Sequence, residues 1–413
     1  MRGFMSGVDA SPGRWLSIVG IGEDGIEGLS AAARREIAAA EVVFGGARHL
    51  ALAAPLIAGA QTAWPSPFQD GIAAALACRG RRVCVLASGD PFLHGVGATL
   101  AAHVPPQEMQ VLPAPSAFSL AAARLGWPLA EVVTLSLHGR EVARIRPYLH
   151  PGARLLALTS DADGPTALAA LLAGGGFGAT TLTVLEALGG PHERMRVSRA
   201  DGFALHDVQP LNLVALEVAA DARARILPLT PGLDDALFES DGQLTKREVR
   251  AMTLAALAPR RGELLWDIGG GSGSVAIEWM LADASLRAVS IEQRADRAAR
   301  IARNATAFGV PHLDVVEGTA PAALAGLPKP DAVFIGGGSG APGLIEAAMA
   351  ALPAAGRLVI NAVTLESEAR LLACHAAHGG ALTRIAIARA EPVGGVTGWR
   401  PAMPVTQWAW TKP

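Results

Sequence analysis

Lysine is almost missing from this chain. Of 35 basic residues, only Lys246, Lys329 and Lys412 are lysines, and genomic bias toward arginine accounts for that. Cysteine is scarce too. Cys78, Cys84 and Cys374 are too few and too scattered for a disulfide framework or a zinc site, which fits a reduced cytoplasm. Net charge is small: 35 basic against 37 acidic residues leave −2, so no overall field draws the molecule to nucleic acid or to an anionic membrane. The opening MRGFMSGVDASPGRW has no apolar core of the signal-peptide kind. The longest uncharged run, Gly164 to Leu185, could span a bilayer by length alone. Its internal glycines (Gly174, Gly175, Gly176, Gly178) and the β-branched TTLTV predict helix, turn and strand instead. No Ser-His-Asp, Cys-His or metal-ligand constellation stands out. The ten histidines are scattered, and His94 and His138, in loops, read first as capping or core residues.

What is present is apolar residue, 51% of 413, enough for the cores of two or three domains at roughly 150 residues each. Residues 1–13 read as a loose tail. From Arg14 onward, strands alternate with helices. WLSIVGIGEDG is followed by a helix through LSAAARREIAAAEVVFGG, and then come RVCVLASGDP, MQVLPAPSAFSLAAARLGWP, VVTLSLHGR, ARLLALTSDADGP, TTLTVLEALGG and LNLVALEV. That alternation predicts an α/β architecture with largely parallel sheets, whose ligands bind beyond the C-terminal strand ends. Residues 222–243 read as a linker with a lid-like lead-in. A second α/β unit follows from 244 to 413, closing in two successive strands expected to pair as a hairpin at the sheet edge.

The most informative stretch is Glu263 to Ser274, ELLWDIGGGSGS, where a buried strand runs into a glycine turn and then a helix. Such a turn lets backbone N–H groups approach a ligand closely. Gly271 to Ala276 fits the G-x-G-x-x-A pattern of dinucleotide folds. Asp267, Gly269, Gly271 and Gly273 equally fit the D-x-G-x-G-x-G turn of class I S-adenosylmethionine-dependent methyltransferases. Glu292, 25 residues beyond Asp267, suits a carboxylate that accepts both ribose hydroxyls. The terminal strand pair and DAVFIGGG favour the methyl donor over the dinucleotide, which remains the alternative. Thr319 and Ala320 end the next strand, where they would flank adenine without an acid to meet its amino group.

IVGIGEDG (18–25), VLASGDPFLHGVG (85–97), PAPSAFSLAAARLGWP (113–128), LSLHGR (135–140) and LEALGGPHERM (185–195), in that order, resemble the tetrapyrrole (class III) methyltransferases of cobalamin synthesis. LTKREVR (244–250), WDIGGGSGS and FIGGGSG are similar to the decarboxylating precorrin methylases, a class I fold. The resemblance spans residues 14–413. It implies a bilobal tetrapyrrole-methylase fold over 14–221 (lobes 14–112 and 113–221) followed by a Rossmann-like class I methyltransferase.

It further implies two S-adenosylmethionine sites, no metal, a precorrin substrate and weak evidence of self-association. The first domain would methylate carbon 5; the second would methylate carbon 15 and decarboxylate the ring C acetate. Ser88, Gly89, Asp90 and Phe92 match the family's SGDP cofactor loop and Ser116–Ala117 its second contact. Gly20, Gly22 and Asp24 match the glycine loop nearer the tetrapyrrole. Electron-rich bridge carbons can attack an activated methyl without a protein nucleophile, so alignment and water exclusion dominate. Decarboxylation needs more, cationic clamps and one proton donor, for which Lys246, Arg247 and Arg250 are candidates together with Asn361. Lys246 is the expected proton donor, because a partly desolvated lysine can give up its proton where arginine cannot. Arg48, Arg140, Arg194 and Arg196 are candidates for bidentate contacts to substrate carboxylates. A further alternative is that one domain only binds substrate.

Overall fold

The computed structural model describes residues 13–413, so the expected N-terminal tail lies almost wholly outside the described residues. The chain forms two compact units. One comprises the described residues up to Val142 with His150–Ala224, the other Ala143–Leu149 with Arg225–Pro413.

The first unit holds two five-stranded sheets. In the first sheet β1 (Leu16–Ile21), β2 (Val42–Gly45), β3 (Ala60–Ala63), β4 (Val83–Ser88) and β5 (Met109–Leu112) run in the order β3-β2-β4-β1-β5, all parallel. β1 alternates: Leu16 and Ile18 enter one core, Val19 and Ile21 the other, as a strand covered on both faces must. The expected helix through Gly46 is shorter. It spans Ala31–Ala39, capped by the Ser30 hydroxyl accepting from the Ala33 N–H at 3.2 Å. Val42, Val43 and Phe44 instead become β2, because β-branched and aromatic side chains fit a buried pleated strand better than a helix end.

The second sheet departs from the parallel expectation. β6 (Val133–Ser136) and β7 (Arg154–Leu158) are parallel, but β8 (Thr181–Glu186), β9 (Arg194–Arg199) and β10 (Asn212–Glu217) join antiparallel in the order β6-β7-β10-β8-β9. The long uncharged run resolves into the helix Gly164–Gly174 and β8, and no described helix is long and apolar enough to cross a membrane.

The second unit is a doubly wound sheet. β11 (Leu264–Ile268), β12 (Arg287–Glu292), β13 (Asp314–Glu317), β14 (Ala332–Ile335) and β15 (Arg357–Ala362) are parallel in the order β13-β12-β11-β14-β15. Beyond them lie β16 (Ala381–Ile385), β17 (Ala388–Val393), β18 (Val396–Pro401) and β19 (Val405–Thr411). The expected edge hairpin takes another form: β19 slots between β15 and β16, antiparallel to both, while β17 and β18 form a separate hairpin on the connection. Along β11, Leu264, Trp266 and Ile268 pack on one side and Leu265 on the other, so alternation turns Asp267 into the Leu265 side.

Of residues 222–243, expected as linker and lead-in, those from Arg225 onward belong to the second unit. Leu227, Leu233 and Phe238 are buried in the same core as Leu265 and Phe308. Phe238 stacks on Phe308 at 4.3 Å, with the Arg225 guanidinium over Phe308 and that of Arg250 over Phe238, at 4.2 and 4.8 Å. Arg250 is fully buried. It pairs with Glu278 at 2.5 Å and Asp235 at 3.0 Å and donates to the Thr245 and Leu233 carbonyls. Glu278 in turn accepts from the Gly232 and Leu233 N–H groups at 2.7 and 3.0 Å. Arg250 therefore anchors the lead-in and does not reach substrate, contrary to expectation: every edge of its guanidinium is occupied. Arg250→Met should destabilise this unit by about 3–5 kcal/mol, because it strands a buried carboxylate, and thermal unfolding would show it.

Candidate functional site

The second unit's cleft opens at the C-terminal ends of its parallel strands, where the order reverses between β12 and β14 on either side of β11. The glycine turn lies there, and its glycines have distinct reasons. Gly269, Gly271 and Gly273 take φ of +75°, +61° and +75°, a region that other residues resist. Gly270 has an ordinary φ but no room: a Cβ there would lie 2.1 Å from Ser290 Oγ. At Gly273 a Cβ would also press on Ile301, at 2.8 Å, so this glycine shapes the turn without lining the cleft.

Glu292 closes the arrangement. Nearly buried, its carboxylate accepts the Gly271 N–H at 2.9 Å and the Arg294 N–H at 3.0 Å. Each oxygen keeps an unused lone pair and the residue lines the cleft, which fits a vicinal diol. Asp267 lies inside the same wall. Its Oδ2 accepts from the Ser290 hydroxyl at 3.3 Å, while the buried Oδ1 has no partner. Burial pushes its carboxyl up to about 7; the charge of Glu292 adds to this and the Ser290 hydroxyl opposes it.

Gly318, Thr319 and Ala320 form one side of the cleft, and Gly336, Gly337 and Gly338 pass beside the turn. The lead-in lies across it. Ser272 Oγ donates to the Gln243 carbonyl at 3.3 Å, Asn304 bridges Ser272 and Glu239, and Asp241 pairs with Arg297 at 2.9 Å and Arg300 at 3.2 Å. The cleft encloses about 780 Å³ and also reaches Lys246, Asn361 and the base of the β17–β18 hairpin at Arg389 and Met403. Lys246 is exposed at the helix N-cap position, not desolvated as its expected proton-donor role requires. Arg247 is exposed beside it and does not line the cleft.

In the first unit, the ends of β1, β4 and β5 converge. Gly20 is packed so closely that a Cβ would lie 1.8 Å from the Gly89 carbonyl oxygen and 2.6 Å from the Ala114 nitrogen. Gly89, at φ +52°, in turn abuts Pro115 and Ser116. Asp90 accepts the Phe92 N–H at 2.9 Å, which turns the exposed Phe92 ring outward. Ser116 caps the helix Ala117–Leu125 by accepting from the Ser119 N–H at 3.1 Å. The loop after β8 reaches the first glycine loop, since a Cβ on Gly190 would meet Glu23 at 2.6 Å. Gly20, Gly22, Asp24, Ser88–Asp90 and Ser116–Ala117 thus belong to loops that meet, although Asp24 folds back against Gly22 and Gly28 of its own loop.

The arginines divide. Arg48 is bound to Glu23 and donates to Ser88 Oγ at 2.9 Å; His49 contacts the same hydroxyl at 2.8 Å. Burial, with Arg48 adjacent, holds His49 down to about 4. Arg140 is exposed, and its charge depresses His94 further after burial has done so, which places the loop after β6 near the loop after β4. Arg194 is engaged within the protein through Nε and Nη2. With Arg196 it clamps the buried Glu186, at 2.7 and 3.0 Å, and donates to the Asp207 carbonyl. Sequence reasoning missed Gln243, Thr253, Ser290, Arg389 and Gln407. Strand register could have flagged Ser290, Arg389 and Gln407; Gln243 lies in a loop and Thr253 on a helix, and nothing local marks either. Among the described residues, no group of three or more His, Cys, Asp or Glu could hold a metal.

Residues 16–204 match the family model of tetrapyrrole (corrin/porphyrin) methylases, and residues 236–412 that of a precorrin methyltransferase domain. The chain is a methyltransferase assembled from two methylating domains of unlike α/β fold. A Sinorhizobium sp. protein named precorrin-6Y C(5,15)-methyltransferase (decarboxylating) is 62% identical over 398 residues, 96% of each chain. A Mycobacterium tuberculosis protein of the same name is 42% identical over 400 residues, 96% of this chain and all of that one. The probable cobalt-precorrin-6B C(15)-methyltransferase (decarboxylating) of Pyrobaculum calidifontis is 41% identical over 143 residues, 33% of this chain and 73% of that one. This chain belongs to the precorrin-6Y C(5,15)-methyltransferase (decarboxylating) family.

The raised Asp267 carboxyl has a signed consequence. The folded state holds a proton that the unfolded state has released above its ordinary value of 3.8, so stability falls as pH rises from there to about 7 and is level beyond. Asp267→Asn should therefore raise the unfolding temperature of this unit at about pH 8 and change it little at about pH 4.

Proposed function

We propose that the chain uses two S-adenosylmethionine molecules to methylate precorrin-6Y twice and decarboxylate it once, giving precorrin-8. Carbon 5 is methylated in the first unit. Carbon 15 is methylated in the second, where the ring C acetate also loses its carboxyl group. The observation that carries this reading is Glu292, held by the Gly271 N–H at the lip of the glycine turn, as a nucleoside's ribose requires. The alternative of a dinucleotide-dependent oxidoreductase is disfavoured by β19, which enters antiparallel where a dinucleotide fold would continue its second parallel half. The C(15) relative named above, which aligns with a third of the chain, supports a division of labour between two catalytic domains.

Bound S-adenosylmethionine supplies a sulfonium-activated methyl group. The chain's own residues bind, align and exclude water. In the second unit Asp267, Gly269, Gly271, Glu292, Thr319 and Ala320 form the cofactor wall, with Gln243 laid over it. Lys246 meets a substrate carboxylate as an exposed cation, and Asn361 offers an amide donor. Carbon dioxide leaves its bonding electrons in the conjugated ring and a proton taken up from water completes the methyl group that remains, so the pocket's part is to hold the carboxylate in place. In the first unit Ser88, Gly89, Asp90, Phe92, Ser116 and Ala117 hold the second cofactor, with Gly20, Gly22 and Arg140 on the tetrapyrrole side. A cytoplasmic setting and self-association accompany this reading, with neither nucleic acid nor membrane as partner.

Glu292→Ala provides the test. Wild-type protein should bind two equivalents of S-adenosylhomocysteine by calorimetry. The variant should bind one unchanged and the other at least about tenfold more weakly, the loss expected for hydrogen bonds to a charged acceptor. With S-adenosylmethionine held near the wild-type Kd, its main product at early times, by mass spectrometry, should carry one added methyl and retain every carboxyl. Two unchanged equivalents, or a doubly methylated and decarboxylated product, would overturn the assignment.

A further inference from the structure

We propose that Thr253 and Gln407 are positioning residues that hold the Asn361 amide as a fixed hydrogen-bond donor to a substrate carboxylate in the second unit's cleft. The inference rests on the reading of Asn361 as a substrate-facing donor. Asn361 on β15 and Gln407 on β19 stand directly opposite in antiparallel register, so their side chains leave the same face of the sheet. That face meets the helix Arg247–Leu257, which presents Thr253. Asn361 Nδ2 donates to Thr253 Oγ1 at 2.9 Å. Gln407 Nε2 donates to Thr253 Oγ1 at 3.2 Å and to Asn361 Oδ1 at 2.9 Å. Thr253 is fully buried and Gln407 only 5% exposed, whereas Asn361 lines the cleft.

The donor and acceptor inventory makes this arrangement directional. The Thr253 hydroxyl proton goes to the Val249 carbonyl at 2.8 Å, so its oxygen can only accept from the other two. Both Gln407 amide hydrogens are used. A flipped Asn361 would set its oxygen against that acceptor and its NH₂ against the Gln407 NH₂. Its sense is thereby fixed, and one Asn361 N–H remains, on the residue of the three that borders the cleft. A donor held this way needs no reorganisation when substrate arrives, and such donors are worth most where water is excluded. Apolar Val405 and Ile385, which also line the cleft, supply part of that exclusion.

The test is a double-mutant cycle on the full chain, read as single-turnover release of carbon dioxide, with methyl transfer by the first unit as internal control. Thr253→Val and Gln407→Met should each slow release by at least about tenfold, with S-adenosylhomocysteine affinity and thermal unfolding close to wild type. Thr253→Ser, which restores the hydroxyl, should recover most of the rate. In an Asn361→Ala background, neither Thr253→Val nor Gln407→Met should slow release further, because each acts through the missing amide. If the effects multiply instead, the positioning role falls while Asn361 stands. If Asn361→Ala alone releases carbon dioxide at the wild-type rate, the reading of Asn361 fails and this inference with it. Should Thr253→Val unfold, the Gln407→Met arm decides by the same criteria.

Discussion

The hydrogen bond from the Gly271 N–H to the Glu292 carboxylate ties the ends of two neighbouring strands into one binding edge. It requires a turn tight enough to aim that N–H sideways, which is why φ is positive at Gly269, Gly271 and Gly273. It also requires β11 and β12 to end in register, which the parallel pairing of Ile268 with Ile291 provides. Position 270 has to be glycine, because Ser290 Oγ takes the space a Cβ would need. Burying Asp267 behind this edge is the cost: an acid whose proton is held to about 7.

A second layer keeps that edge covered. The segment from Arg225 to Gln243 belongs to the core through Leu227, Leu233 and Phe238 and is held by the buried Arg250 with Glu278 and Asp235. Removing one partner of such a buried network strands the others without solvent, so the network acts as a unit. Its outer end, Glu239 to Gln243, is latched by Arg297, Arg300, Arg303 and Asn304 beside the glycine turn. The residues that attach the lead-in also shape the cofactor cleft. In the first unit the corresponding role falls to backbone contact, with Gly20 against Gly89 and Gly89 against Ser116, and to the Ser88, Arg48 and His49 cluster.

The glycine turn and the acid at Glu292 were legible from spacing, because backbone conformation and strand alternation are local properties. The loop motifs after β1, β4 and β5 were legible for the same reason. Arg250 and Arg194 were not. Beside a motif both read as substrate clamps, yet each neutralises a buried carboxylate, Glu278 or Glu186, that lies far off in sequence. The helix expected through Gly46 ended early: the β-branched and aromatic Val42–Phe44 favour a strand, and pairing with both β3 and β4, which sequence does not show, completes it.

Local sequence by itself determined where the chain must turn, which strands are buried and which acid follows the glycines. These depend on φ, on volume and on a period of two residues. The tertiary structure alone decided which polar groups face ligand and which face each other. Thr253, Asn361 and Gln407 lie on a helix and two strands, and only the insertion of β19 beside β15 brings their hydrogen bonds together. A hydrogen bond is set by distance and direction in space, and sequence separation does not report either.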